Sequence, residues 1–387
     1  MASFSSIRRG TRYVLPRWIA LCILCIVAGA TMQVLPGLSE RGVLYIDSWS
    51  HNLAFADAFS NLNTAEQGFG TADRFVQPAA RFPLMPLLTR WGIALFGEAS
   101  LSAFWVSKAA LLVGLIGLWC LVDHLHGSIQ ANRSIQYLLF PILGTAYSWI
   151  YSFPEALHLT TWTWGFYLLF KGDYYLCGMI TILGVWSRPQ AILIVIPYAI
   201  LLLMEARRNH RSLWDAPLWR AGLLTCALPI AAYALWIARI SAISELPFAP
   251  ITAQAAHGRA DLLWPWELIA RRIDFMETRG IFAYQWSRLF ENGQLLIIGA
   301  SLIVLTVMVI RGRLHPALLI FSLLGVLPGL TTAIFAIGRY ATLTWIPLAA
   351  LYVIPRRYDS VVLPLLIALS LLALLVAGFS NAAGFIL

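Results

Sequence analysis

The dominant constraint in this sequence is the recurrence of apolar stretches long enough to cross a bilayer. They fall near residues 17–38, 101–122, 134–151, 155–170, 174–187, 188–204, 221–240, 294–310, 315–336, 341–354 and 361–380. A helix needs about 20 residues to traverse roughly 30 Å of hydrocarbon. In lipid every backbone N–H and C=O must find its partner within the protein, so segments of this length read as helices. The expectation is an all-α polytopic membrane protein with about eleven transmembrane helices, forming one membrane domain over residues 1–387. Composition agrees: 60% of residues are hydrophobic and only 12% charged, whereas soluble domains carry about 25% charged residues.

Charge at the ends of the stretches orients them. With the arginine-rich N-terminus on the cytoplasmic side, the inner connections carry Arg133, Lys171, Arg207, Arg208, Arg211, Arg220, Arg311, Arg313, Arg356 and Arg357, as the positive-inside rule requires. Two long connections then lie outside, 39–100 and 241–293. Counting 82–97 as a further span would invert everything after it, so Phe82–Phe96 reads as an amphipathic or re-entrant helix on the outer face. The second long connection ends in a helix-like stretch from Trp266 to Phe290.

The net charge of +9 does not indicate nucleic-acid binding. Only Lys108 and Lys171 are lysines, and the arginines sit at the ends of apolar stretches, where topology and lipid headgroups account for them. Scarce lysine beside abundant Ala, Arg and Trp fits a GC-rich bacterial gene, hence a bacterial inner membrane. Ala28-Gly29-Ala30 imitates a signal-peptidase site, but the apolar run continues past it and reads as an uncleaved signal anchor. The five cysteines all fall in apolar stretches, and Cys22 and Cys25 have neither a second pair nor nearby histidines for metal binding. Asp123-His124-Leu125-His126 falls on the inner side in a short loop and reads as no metal site. No Walker motif, dinucleotide fingerprint, HExxH or GxSxG occurs.

The residues that point to chemistry gather on the outer side. Asp47 lies in Tyr45-Ile46-Asp47-Ser48-Trp49-Ser50-His51, shortly after the first span. A carboxylate partly desolvated among aromatics gains basicity and suits a general base. His51, four residues on, would share its face on a helix. Arg81 opens the Phe82-Pro83-Leu84-Met85-Pro86-Leu87-Leu88 stretch, whose prolines stiffen the entry to a short helix. Glu155 and His158 follow Tyr151-Ser152-Phe153-Pro154, Arg188 stands in Ser187-Arg188-Pro189-Gln190, and Arg339 precedes Tyr340. Ionisable groups at span ends are costly unless paired or wet, which makes function the first hypothesis for them. Alternate connections place Asp47, Glu155, Arg188 and Arg339 on the same side, where two acids and two guanidiniums could hold a sugar and an anionic leaving group.

The order of these features resembles the GT-C glycosyltransferases, polytopic enzymes that use polyprenyl-phosphate sugars, and within them the PIG-V-like mannosyltransferases. Residues 82–88 are similar to the family's FPLYPLL segment, with Met85 in place of tyrosine. Ser152–Leu157 is similar to its SESL-type turn, Ser187–Gln190 to its SRxxG, and Arg339-Tyr340 to its late RY. The resemblance implies an inverting transfer of a hexose, mannose in that family, from a polyprenyl-phosphate donor to a lipid, glycan or protein acceptor at the extracytoplasmic face. Asp47 would deprotonate the acceptor. Arg339 and Arg188, with Arg271 or Arg272 in reserve, would receive the departing phosphate. Glu155, His158, His51, Tyr340 and Arg81 would contact substrate. No cofactor is required, a divalent cation is optional, and the remaining partners are membrane lipids. The alternative is a transporter or flippase for a lipid-linked or small anionic substrate. Against it, no internal repeat accompanies the charges, which cluster at span ends rather than at the midplane.

Overall fold

The computed structural model describes residues 4–34, 50, 57–69, 81–140, 149, 152–210, 212, 215–245, 247–254, 266–267, 270, 286–331 and 337–369. Every regular element among them is helical. Five helices are long and apolar enough to cross a membrane: Phe4–Ala30, Ala99–His126, Pro189–Arg208, Ala216–Ser244 and Gly293–Ile310. Contacts divide the chain into two compact units. One is built on Met1–Ile135 and Tyr147–Ala253, the other on Gln136–Ala146 and Gln254–Ala377.

In the first unit, α1 (Phe4–Val34) runs unbroken through Ala28-Gly29-Ala30. Two short helices follow in the first long connection, α2 (Asp57–Gln67) and α3 (Leu84–Phe96). α3 closes on Gly97, whose φ of 73° needs no Cβ to be tolerated, and the chain turns directly into α4 (Ala99–His126). α4 extends through Asp123-His124-Leu125-His126, so this tetrapeptide is a helix end rather than the expected loop. Asp123 there accepts from Ser6 Oγ (3.0 Å) and Arg9 Nη2 (3.2 Å), and Gly127 at φ 83° stops the helix. α5 (Ser128–Leu139) covers the start of the stretch expected to span 134–151, whose residues 141–148 lie outside the described residues.

α6 (Glu155–Phe170) is the centre of this unit and is buried along nearly its whole length. It runs parallel to α4: Ser107 meets Phe153, Ala110 meets Thr160, and Gly114 meets Thr163. A side chain at Gly117 would collide with Thr163 and Trp164, which is how small residues let two helices approach in lipid. α7 (Tyr174–Val185) returns antiparallel, with Cys177 donating to the Gly165 carbonyl. A 3₁₀ turn (Pro189–Ile194) then leads into α8 (Val195–Arg208). α9 (Ala216–Ser244) contains one π turn at Leu223–Ala227, just ahead of Pro229, which has no N–H for the ladder. The Leu224 carbonyl at this wide turn presses on Gly178 so closely that a Cβ there would overlap it. The short α10 (Ala249–Gln254) follows, its Ala249 N–H bonded to Ser241 Oγ.

These directions sort the charges. Arg9, Asp123, Lys171, Asp173, Glu205, Arg207 and Arg208 fall at the end of the unit where α4 and α6 finish. Glu98, Glu155 and Arg188 lie at the opposite end, where α4 and α6 begin.

The second unit contains α11 (Trp286–Ile310), α12 (Pro316–Thr331) and α13 (Ile337–Thr342). The span expected over 341–354 is instead three short pieces: α13, a 3₁₀ turn at Ile346–Ala349 and a helical turn at Ala350–Val353. The break is sealed by hydroxyls. Thr342 Oγ1 donates to the Gly338 carbonyl (2.8 Å) and Thr344 Oγ1 to that of Ala341 (2.7 Å). The N–H groups of Trp345 and Ile346 donate to Ser322 Oγ and Thr344 Oγ1, each at 3.2 Å. Side-chain oxygens thus take over for lost helical bonds, the condition under which apolar surroundings tolerate irregular backbone.

Candidate functional site

Three sequence segments singled out above meet at the end of the first unit where α4 and α6 begin. Phe82 stacks on Tyr233 of α9, ring centroids 5.6 Å apart, and the Leu84 N–H donates to the Trp186 carbonyl at 2.9 Å. That bond ties the entry of α3 to the residue just before Ser187-Arg188-Pro189-Gln190. Trp186 is itself held by α9, its Nε1–H donating to the Ala232 carbonyl at 3.2 Å. From this turn Arg188 reaches the first residue of α6: Arg188 Nη1 donates to Glu155 Oε1 in a salt bridge with almost no solvent contact. Glu155 has no exposed surface and Arg188 retains 7%. An isolated carboxylate at such a depth would be strongly penalised, and Arg188 supplies it with a counter-charge.

His158, one turn further along α6, shares the Glu155 face and lies within electrostatic reach of Arg188. Ser152 lies three residues before Glu155 in the chain and Gln190 two residues after Arg188. Ser152 Oγ, His158 Nδ1 and Gln190 Oε1 are all shielded from solvent, and none receives a hydrogen bond among the described residues. An unsatisfied buried polar atom costs about 1–3 kcal/mol.

α4 sets the approach to α6. Lys108 is completely buried, its ammonium 5.0 Å from the Phe104 ring centroid, and Nζ donates to the Trp149 carbonyl at 2.5 Å. Its neighbour Ser107 donates to the Phe153 carbonyl at 3.3 Å, so consecutive residues of α4 hold both ends of 149–153. Trp18 of α1 closes the back of this clamp, donating to the Lys108 carbonyl at 2.7 Å. At the N-terminus of α4, Ser50 is buried with its hydroxyl 2.7 Å from that of Ser100, and both hydroxyls lie within hydrogen-bonding distance of Glu98 Oε1.

The expected site residues are therefore distributed unevenly. Glu155, His158 and Arg188 are together. Arg81 adjoins the stitched Phe82–Leu84 segment and is half-buried. Arg339 and Tyr340 belong to α13 in the second unit, where Tyr340 packs on Gly329 and the amide of Gln294 lies against Gly338. Asp47, His51, Arg271 and Arg272 lie outside the described residues. Sequence reasoning missed Ser50, Glu98, Ser107, Lys108, Ser152 and Gln190. Lys108 carried a signal as a lysine inside an apolar stretch, and Ser152 and Gln190 stood within segments singled out for their resemblance but without a role of their own; the others are polar residues of ordinary kind. Among the described residues no group of three or more His, Cys, Asp or Glu could hold a metal ion. A scan against protein-family models finds no match, and a search of curated proteins finds none either.

Proposed function

We propose that this chain is an inverting glycosyltransferase that moves a hexose, mannose on the resemblance, from a polyprenyl-phosphate donor to an acceptor hydroxyl at the extracytoplasmic membrane face. The observation that carries the reading is the buried Glu155–Arg188 pair with His158 beside it, at the end of the first unit away from Arg9, Lys171 and Arg207. The basic connections at the other end support a cytoplasmic placement for that end. Ser50, three residues along the chain from Asp47, is fixed at the same end as Glu155 through Ser100 and Glu98.

In this reaction the acceptor oxygen forms a bond to the anomeric carbon while the bond from that carbon to the phosphate oxygen breaks. The electron pair leaves with the lipid phosphate, and Asp47 takes the acceptor proton. Because the leaving group is already a phosphate, the chemistry asks only for a base and for positive charge where the phosphate departs. Arg339 is the first candidate for that charge, followed by Arg271 and Arg272. Arg188 shares its charge with Glu155 and has less to offer an anion. The apolar helices supply a lipid-facing surface for a prenyl chain, and a divalent cation remains an optional partner for the phosphate.

Incubating membranes with radiolabelled polyprenyl-phosphate mannose tests the proposal. Label should pass to an acceptor in the native chain and stay on the donor in Asp47→Asn. Unaltered transfer in that variant removes Asp47 as the base, and absence of any transfer with mannosyl, glucosyl and galactosyl donors alike removes the activity.

A further inference from the structure

We infer that the corner where α8 ends and α9 begins binds the headgroup of an anionic phospholipid, whose acyl chains lie along the exposed apolar side chains one turn deeper in each helix. This corner belongs to the end of the first unit away from Glu155, and its role holds whatever chemistry the chain performs. Arg207 and Arg208 are exposed in the last turn of α8, and Arg220 is exposed near the start of α9. Residues 209–215 connect the two helices, which touch further along, where Cys226 Sγ donates to the Val195 carbonyl at 3.6 Å. None of the three guanidiniums forms an ion pair or a hydrogen bond among the described residues. Nor do they cap α8, since the carbonyls of Glu205 and Arg207 accept from the N–H groups of Asn209 (3.0 Å) and His210 (3.2 Å).

Charge and hydrocarbon follow the same order on both helices. Leu203 and Met204 stand one turn before Arg207 and Arg208, and Leu223 stands one turn beyond Trp219 and Arg220; all are exposed. On membrane-spanning helices such apolar side chains face acyl chains, so guanidiniums one turn nearer the helix ends reach the headgroup layer. Trp219, 57% exposed, adds an indole of the kind that settles at this boundary. From residue 205 to residue 220 the chain carries four arginines against two acids. Glu205 accepts from the Tyr174 hydroxyl at 3.3 Å, and Asp215 stands at the N-terminus of α9, where the helix dipole offsets part of its charge. On the neighbouring turn Lys171 is balanced by Asp173, which caps α7. A guanidinium fork fits phosphate oxygens. Phosphatidylcholine would bring its own cation to these arginines, so the corner favours a headgroup of net negative charge. A soluble anion would make no use of the apolar side chains.

The full chain in micelles of a neutral detergent is mixed with equal amounts of phosphatidylglycerol and phosphatidylcholine carrying the same acyl chains, and native mass spectrometry counts the lipids retained. The native chain should retain phosphatidylglycerol in preference. Arg207→Gln, Arg208→Gln and Arg220→Gln should each reduce that preference about fivefold, and the triple variant on the order of a hundredfold. The single variants carry the test if the triple variant does not fold, which thermal unfolding decides. Arg8→Gln combined with Arg12→Gln removes two exposed arginines of α1 at the same end of the unit and should leave the preference unchanged. Glycerol 3-phosphate, a phosphate headgroup without acyl chains, should not displace the bound lipid at about tenfold excess. A native chain that retains both lipids equally overturns the inference, as does an unchanged preference in all three single variants. An equal loss in the Arg8 and Arg12 variant would mean that only the summed charge of this end attracts lipid. Displacement by glycerol 3-phosphate would mean that the arginines hold a soluble anion. Either of these outcomes also overturns it.

Discussion

Glu155 and Arg188 meet in a salt bridge with almost no solvent contact at the start of α6. Removing one member of a buried pair leaves an uncompensated charge and typically costs about 3–5 kcal/mol, whereas replacing both with apolar residues is often neutral. Glu155→Ala is therefore expected to destabilise the first unit by about 3 kcal/mol or more. Glu155→Leu combined with Arg188→Met should recover stability to within roughly 1 kcal/mol of the native chain while giving no transfer. Thermal unfolding in detergent measures the first quantity and the labelled-donor assay the second. A double variant that folds and still transfers sugar would show the pair to be a structural device. The residue scale is also where the sequence was most and least readable. Glu155 and Arg188 were visible as charges at the edges of apolar stretches, because a charge there needs a reason. Their pairing was not visible, since nothing in two segments 33 positions apart fixes which acid meets which base. Ser152 and Gln190 stood in the segments that carry the resemblance, but their burial without a hydrogen-bond partner was not visible, because that is a property of the packed chain and not of a residue type.

Helices were legible where hydropathy and local geometry agree. The expectation of 155–170 matches α6 at both ends, since Pro154 starts it and the polar Lys171-Gly172-Asp173 turn stops it. The expectation over 341–354 did not produce one helix, although its apolar content is as high. There Ser322, Thr342 and Thr344 supply partners for backbone groups that a straight helix would have bonded within itself. Hydropathy counts carbon and does not register such substitutions. Close helix contacts were equally hard to read. Gly178 looks like any small residue in an apolar run, yet it receives the Leu224 carbonyl at the π turn of α9. Gly178→Val should push α7 and α9 apart and lower stability by about 1–3 kcal/mol. Gly222→Ala, on the same helix as the π turn and with open space around it, should change little. A loss in Gly222→Ala equal to that in Gly178→Val would mean that helix flexibility, and not the close approach, is what glycine provides here.

At the scale of the whole molecule, sidedness is the property on which any extracytoplasmic chemistry depends. Two exposed positions in the first unit report on it directly. Glu66, in α2, belongs to the first long connection, and His210 follows Arg207 and Arg208 just beyond α8. The native cysteines interfere little, since Cys22, Cys25, Cys120 and Cys177 are buried and Cys226 is half-buried within α9. In intact cells an impermeant maleimide should label Glu66→Cys and leave His210→Cys unlabelled until the membrane is opened. The positive-inside bias behind this expectation is collective: several arginines must share a side, so their sum outweighs any single replacement. Labelling in the reverse order would put Arg9, Arg207 and Arg208 outside and the Glu155–Arg188 pair at the cytoplasmic end. A polyprenyl-phosphate sugar presented at the outer leaflet could not then reach the end of the first unit that holds the pair, and a cytoplasmic donor would have to be sought.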